Sequence, residues 1–441
     1  MKTNTWKCLL IAIVAISLWP EQAFAIPAFA RKYETSCNTC HVVFPRLTPY
    51  GEAFRLNGYM LPEDDEGSVK DIPMSLGADA YKMIWPESIW PGSIPGKSPI
   101  AFRTRFGFSH DASEDLTTSK FTIPSIQIFM GGTFTEGISF FGGVLLAQGH
   151  NTNALQMAYI RLNNLLGRFL PYQALNLRIG QFVPDLTTYK SKHNSLTQAL
   201  YAMNTYAPAN GSSLDLTHRN FGIAGQVIGA EASGLVTGRL RYAFGLSNGN
   251  AVFGEDNNAK DVHAKIAYKI GGMAFDGSVT GEIFGPSANN WAEKSIILSG
   301  FTYTGSRTDK DTRKDISIQR LGGDIIFNYR DLNVMGGFIT GTDENYYIPT
   351  GGIQRVKVDR AYDLFFSEAT YMIYPWLAGI MRFEQVNPHD VVGEPTFDSV
   401  SRYIVHASAL YTANLRFYVE SVIIQGPTAD RNLFIGMDYA F

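Results

Sequence analysis

From Pro99 onward, apolar residues recur at every second position. In IAFRTRFGFS, residues 100–109, Ile100, Phe102, Thr104, Phe106 and Phe108 share one face, while Arg103, Arg105 and Ser109 share the other. That alternation is the period of a strand lying between an apolar and a polar environment. The final stretch NLFIGMDYAF repeats it, with Leu433, Ile435, Met437, Tyr439 and Phe441 on one face. Runs of about ten residues with this alternation recur between the two, the length at which a tilted strand crosses a membrane. Short and long connections alternate. Short ones are TEG after Phe134, GGMA near Gly271, RDLN at Arg330, YP at Tyr374 and TAN near Ala413; long polar ones occupy 184–218, 247–260, 305–317, 342–359 and 387–400. The pattern predicts an all-β transmembrane barrel of antiparallel strands. About 17 strand-like runs can be counted, whereas a bacterial single-chain barrel has an even number. Counting inward from both ends places the miscount between residues 260 and 304, and the expected number is about 16, with about 18 the alternative. A soluble β-sandwich of this length would divide into domains with separate cores, and no linker divides residues 98–441.

Residues 26–97 lack this period and are punctuated by Pro, Gly and charge, ending in the connector IWPESIWPGSIPGKSP. In LTPYGEAFRLNGY, Thr48 is placed to cap a helix, Pro49 suits its first position and Asn57-Gly58 its stop. One short helix is expected there and another around residues 37–41, which makes this a small, mainly helical domain. Ahead of it, Lys2, Lys7, the apolar run from Cys8 to Trp19 and Ala23-Phe24-Ala25 form a secretory signal, with cleavage expected before Ile26 or, alternatively, after Ala30. The apolar run is roughly 12 residues, short of the about 20 that span hydrocarbon as a helix. The expected organisation is a signal peptide at 1–25, a small domain with its connector at 26–97, and a barrel at 98–441. An exported barrel of this kind belongs in the bacterial outer membrane. Hydrophobic residues at 45%, aromatics at 13% and a formal charge of -3 argue against a disordered chain and against a nucleic-acid partner.

With Cys8 in the signal, Cys37 and Cys40 are the only thiols of the exported chain, and both lie in TSCNTCHVVFP, directly ahead of His41. C-x-x-C-H is the pattern of c-type haem attachment. Two thiols three positions apart can meet the two vinyl groups of one macrocycle, and the next residue's imidazole can reach the iron. Cys37 and Cys40 are therefore the expected thioether residues and His41 the expected proximal ligand of one covalently attached haem c. A local disulfide with an incidental histidine is the alternative. For the sixth position Met60, just beyond the expected helix, is the first candidate. Met74 and Met83 are also near in sequence, and His110, His150, His193, His218, His263, His389 and His406 would have to come from the barrel wall or loops. Only about 70 residues precede the barrel, too few for a generous pocket. The lumen, aqueous in barrels of about 16 strands, offers a second wall, and the domain would sit there as a plug.

The segment IPAFARKYETSCNTCHVVFPRLTPYGEAFRLNGY resembles the N-terminus of the fused outer-membrane cytochrome-porins, in which a single haem domain precedes a porin-like barrel. That family includes ferrous-iron oxidases of iron-oxidising bacteria and related proteins of metal-respiring bacteria. The stretches LRIGQFVPDL (177–186) and YAFGLSNGN (242–250) are similar to phosphate-selective porins, as markers of strand ends rather than of a binding site. The first resemblance implies haem at Cys37, Cys40 and His41. It also implies electron transfer across the outer membrane between an extracellular donor or acceptor, such as Fe(II), and a periplasmic cytochrome or other carrier. As an enzyme, the chain would be an Fe(II):cytochrome c oxidoreductase. One haem cannot cover a hydrocarbon band about 25 Å tall, so a carrier would dock near the barrel mouth. Asp256, Asp343, Glu344 and Asp390 could draw cations to the loop side, although each is first of all a solvated loop charge. Two other readings stand beside this one: a diffusion porin whose haem domain is a regulatory or structural plug, and a haem peroxidase, which ranks last because no distal acid–base pair is evident.

Overall fold

A computed structural model describes residues 28–62, 65–70, 74–75, 93–94, 99–113, 117–135, 137–148, 151–188, 196–199, 226–248, 257–279, 291–308, 314–347, 356–389, 399–426 and 430–440. The expected signal peptide and most of the connector lie outside these residues. In chain order, four short strands come first: β1 (His41–Val43), β2 (Arg46–Leu47), β3 (Met74–Ser75) and β4 (Ser93–Ile94). They are followed by β5 (Ile100–Ser113), β6 (Thr117–Thr135), β7 (Ile138–Gln148), β8 (Asn151–Leu162), β9 (Asn176–Phe182), β10 (Val227–Val236), β11 (Leu240–Asn248) and β12 (Lys260–Gly271). The remaining strands are β13 (Glu293–Thr308), β14 (Asp315–Arg330), β15 (Leu332–Tyr347), β16 (Val356–Tyr374), β17 (Leu377–Pro388), β18 (Val400–Thr412), β19 (Leu415–Gln425) and β20 (Asp430–Ala440). Strands β5 to β20 form a closed barrel of 16, each pairing antiparallel with its sequence neighbour and β20 closing onto β5.

The expected even number of 16 is therefore the observed one, and the surplus run falls inside 260–304. After Gly271 the chain does not start a new strand. Residues 272–279 turn inward, with Phe275 N donating to Gly238 O at 2.8 Å and the Phe275 side chain 4% exposed. The strand-like run after GGMA begins at Phe275, which the lumen buries, and its continuation from residue 280 lies outside the described residues.

Period-two alternation sorts side chains between lumen and lipid. On β13 and β14, Ile297, Phe301 and Ile326 are buried inside, whereas Leu298, Ile325, Phe327 and Tyr329 are exposed on the outer face. Large apolar side chains exposed in such continuity mark a surface that faces lipid, not water. Tyr329, Tyr371, Tyr374, Trp376 and Tyr411 gather where strands end in short turns, as in an interfacial aromatic girdle. That end, which also holds the start of β5 and the end of β20, is the periplasmic one by the rule that periplasmic turns are short.

Part of the interior is filled by side chains. Leu186, Phe275, Ile297, Phe301, Ile326, Met335, Ile339, Leu364 and Phe366 belong to one buried cluster, against which Leu56 packs. The inner faces of β13 to β17 carry this cluster together with buried charges such as Asp324, Glu368, Arg382 and Glu384, and three inward segments pack against the barrel interior: the 272–279 turn, the long connection after β9, and the N-terminal residues. That connection reaches mid-barrel. Thr188 N donates to Asp324 at 3.0 Å, and Gln198 N and Ala199 N each donate to Glu420 at 2.7 Å.

Candidate cofactor-binding site

The N-terminal segment contains α1 (Ala28–Tyr33), a 3-10 turn at Cys37–Thr39, the hairpin β1–β2, α2 (Pro49–Leu56) and α3 (Asp65–Ser68). Among the described residues it combines short helices with one small hairpin, and the motif lies on a 3-10 turn and the start of a strand, not on an α-helix. Thr35, Thr39, Val42 and Val43 are β-branched and disfavour a helix through the motif. The expected helix at 49–56 does form. Thr48 Oγ1 accepts from Gly51 N at 3.0 Å, Pro49 opens the helix, and Gly58 leaves it in the left-handed region at φ 69°.

The 3-10 turn brings Cys37 and Cys40 together, with Cys40 N donating to Cys37 O at 3.2 Å. Both are free, half-buried thiols. Burial pushes the Cys40 thiol up to about 12, with Cys37 adding to it, and raises Cys37 as well, so both stay protonated. Cys40 packs against Tyr33, Phe54 and Tyr59. His41 Nδ1 donates to Pro45 O at 3.2 Å, which leaves Nε2 as the lone-pair nitrogen. Burial lowers its pKa to about 4, against the raising effect of the Pro45 and Arg46 backbone bonds. A neutral imidazole with one nitrogen anchored to a carbonyl is the usual form of a metal-ligating histidine. This donor set suits a c-type haem: two thiols on one turn, an oriented imidazole next to them, and Glu34, Ser36 and Asn38 exposed.

The barrel wall holds this segment in place. Phe44 lies edge-on to His41 at 5.2 Å and under the Arg103 guanidinium at 4.8 Å; Arg103 in turn pairs with Asp438 at 2.5 Å. Glu52 bridges Arg55, at 2.5 Å, and Arg241, at 3.3 Å. Arg241 also pairs with Asp185 of the inward connection, as does Lys265 at 3.2 Å. Asn57 Oδ1 accepts from Tyr172 and Gln173, both at 2.7 Å, and Tyr59 meets Tyr159 hydroxyl to hydroxyl at 2.5 Å. On the hairpin side, Val42 and Val43 share a buried cluster with Leu196, Met372, Ala378 and Ile380. A cleft of about 950 Å³, open solvent included, lies between Val42, Arg46, Thr48 and Glu52 and the wall at Trp291, Met335 and Met372. The three motif residues do not line it.

Met60 is 4% exposed, with its carbonyl accepting from Asn57 Nδ2 at 3.2 Å. Met74 sits in β3, and Met83 is outside the described residues. His263, His389 and His406 each face a carboxylate, Glu231 at 3.0 Å, Asp363 at 2.9 Å and Glu420 at 2.8 Å, and His110 meets Ser119 at 2.7 Å. His150, His193, His218, Asp256 and Asp390 lie outside the described residues. Of the two other loop acids, Glu344 accepts from Ser317 N at 2.7 Å and Asp343 stands opposite Arg360 in the sheet. Sequence reasoning missed Glu52 and Leu196 and read Asn57 only as a helix stop. One usable signal was Gly51, a glycine inside an expected helix, which marks a close backbone approach.

No family model matches the chain, and no curated protein matches it. Among solved structures, the anion-selective porin from Comamonas acidovorans aligns with a TM-score of 0.53 at 8% identity, covering 78% of this chain and 99% of that one. Salmonella typhi OmpF, solved in complex with daunomycin, aligns at 0.51 with 12% identity, covering 78% and 98%. At such identities the likeness is one of fold. Together with the 16-strand closure and the lipid-facing band, it defines a porin-like transmembrane β-barrel. The protein is one of the bacterial outer membrane.

Proposed function

We propose that the protein is an outer-membrane c-type cytochrome-porin. Its N-terminal segment acts as a haem-bearing plug, and electrons pass between an extracellular donor or acceptor, Fe(II) among them, and a periplasmic carrier. The observation that carries this reading is the Cys37–His41 turn: two free thiols one 3-10 turn apart, followed by an imidazole whose Nδ1 is tied to Pro45 O. Cys37 and Cys40 would hold the haem covalently, His41 Nε2 would ligate its iron, and Met60 is the candidate for a second ligand. When bound, such a group supplies a one-electron store, so that each Fe(II) oxidised outside delivers one electron to the oxidised carrier. The chain's own residues do the rest. Pro45 O fixes the imidazole tautomer, Glu52 and Asn57 pin the plug to the wall, and Leu196, from the loop side, closes over the hairpin that follows His41. The N-terminal segment and the inward connection, packed against the cluster around Ile326 and Phe366, favour a plugged barrel over an open diffusion channel.

The decisive experiment is a haem-peroxidase stain of the outer-membrane fraction after denaturing electrophoresis, in a host that matures c-type cytochromes. The expected result is a stained band that disappears in Cys37→Ala/Cys40→Ala. An unstained native band would leave a porin-like barrel without haem. If the band stains, Met60→Leu tests the sixth ligand: loss of the methionine-ligand absorbance and a lower potential are expected. An unchanged spectrum would make Met60 a packing residue.

A further inference from the structure

The connection between β8 and β9 has two unlike sides. One is committed to the N-terminal segment. Tyr172 and Gln173 donate to Asn57, and Asn163 lies against Gly58 while donating to Ser139 at 3.2 Å. The other side is apolar and bare: Leu166 is 60% exposed, Phe169 84% and Leu170 37%. These three sit at i, i+3 and i+4 of a single turn, closed by Phe169 N and Leu170 N donating to Leu166 O at 2.7 and 2.9 Å, so they share one face. Because the opposite side meets residues inside the lumen, this face is turned away from the barrel axis.

We propose that it is seated in the periplasmic leaflet of the outer membrane and binds phospholipid there. The argument is continuity with the lipid-facing band. Ile160 and Ile179, each 50% exposed, lie on the outer faces of β8 and β9, and the paired Leu162 and Leu177 carry the stripe to the strand ends. The turn prolongs it past the last ladder pair into the zone where interfacial segments bury an apolar face about 5–10 Å deep among headgroups. Arg168, exposed in the same turn, adds a positive charge suited to headgroup phosphates. The connection thereby links lipid on one side to Asn57 and Gly58 on the other. This inference rests on the barrel alone and not on the haem reading.

The test uses the full chain with Phe169→Trp, and separately Leu166→Trp, in vesicles of phosphatidylethanolamine and phosphatidylglycerol, with the unsubstituted protein's fluorescence subtracted. Both sites are solvent-open in the isolated protein, and heat-modifiable gel migration verifies that the barrel has formed. The expected result is a blue-shifted signal that is quenched by phospholipids brominated near the top of the acyl chain and that resists aqueous iodide. Quenching by iodide without quenching by the brominated lipid, at both positions, would overturn the proposal. The face would then be open to the periplasm and available to a soluble protein or a second copy.

Discussion

Replacing Gly51 with alanine should loosen the N-terminal segment from the barrel. In an ordinary helix the change would stabilise by about 0.5–1 kcal/mol, because glycine has more backbone freedom to lose. Here an added Cβ would lie 2.1 Å from Cys40 O, 2.8 Å from Cys40 C and 2.9 Å from Cys40 Cα. All three are backbone atoms, so no side chain can swing aside, and the first contact falls more than roughly 1 Å short of ordinary packing distance. The Cys37–Cys40 turn has to retreat. Retreat breaks Thr48 N to Cys40 O, 2.9 Å, and Thr48 Oγ1 to Thr39 O, 3.1 Å. Overpacking typically costs about 1–3 kcal/mol and each lost hydrogen bond about 1 kcal/mol. Against the small propensity gain, the net loss is about 2–4 kcal/mol, or roughly 30- to 700-fold faster opening at 1.4 kcal/mol per decade. Amide hydrogen exchange over residues 37–57 measures it. Gly300→Ala serves as the control, since the nearest atom to its Cβ is 3.8 Å away. Exchange in Gly51→Ala as slow as in the unchanged protein would refute the reasoning, because the Cys40 carbonyl could not then sit against α2.

Other consequences are open to direct measurement. Asn57→Ala removes the acceptor of two hydrogen bonds from the wall and should speed proteolysis of the N-terminal segment by the equivalent of about 2 kcal/mol, with barrel migration on gels unchanged. Asp185→Asn leaves Arg241 and Lys265 as buried cations without their shared carboxylate. A loss of about 3–5 kcal/mol is expected, read as a lower thermal midpoint of the barrel. Glu420→Ala releases the Gln198 and Ala199 amides that tether the inward connection, so conductance across a planar bilayer should rise above that of the unchanged protein. Equal conductance would show that this tether does not close the lumen. Tyr59→Phe removes only the hydroxyl contact with Tyr159 and should cost about 1 kcal/mol in the same proteolysis assay.

Where a feature is local, it was legible. The Thr48 cap, the Pro49 start and the Asn57-Gly58 stop concern neighbours in the chain, and the helix appears where they place it. The Cys37, Cys40 and His41 grouping was equally plain, although its backbone was not. A C-x-x-C-H spacing fits a 3-10 turn as well as an α-helix, and the β-branched residues around it tipped the balance. The run after Gly271 misled because alternation alone cannot tell a strand from a loop that buries Phe275 in a lumen.

The amino-acid sequence by itself determined the period of the barrel strands, their lumen and lipid faces, an even strand number near sixteen and a motif with haem-attachment spacing. These follow from side-chain alternation and from residues a few positions apart. Only the tertiary structure decided which inward residues meet. Arg103 finds Asp438 once closure of β20 onto β5 brings the ends of the chain together, and Asn57 meets Tyr172, and Leu196 meets Val42 and Val43, through segments folded into the barrel. Nor could alternation reveal that part of the lumen is filled. An apolar residue facing inward reads the same in either kind of barrel, and whether it meets water or another side chain depends on segments folded in from far along the chain.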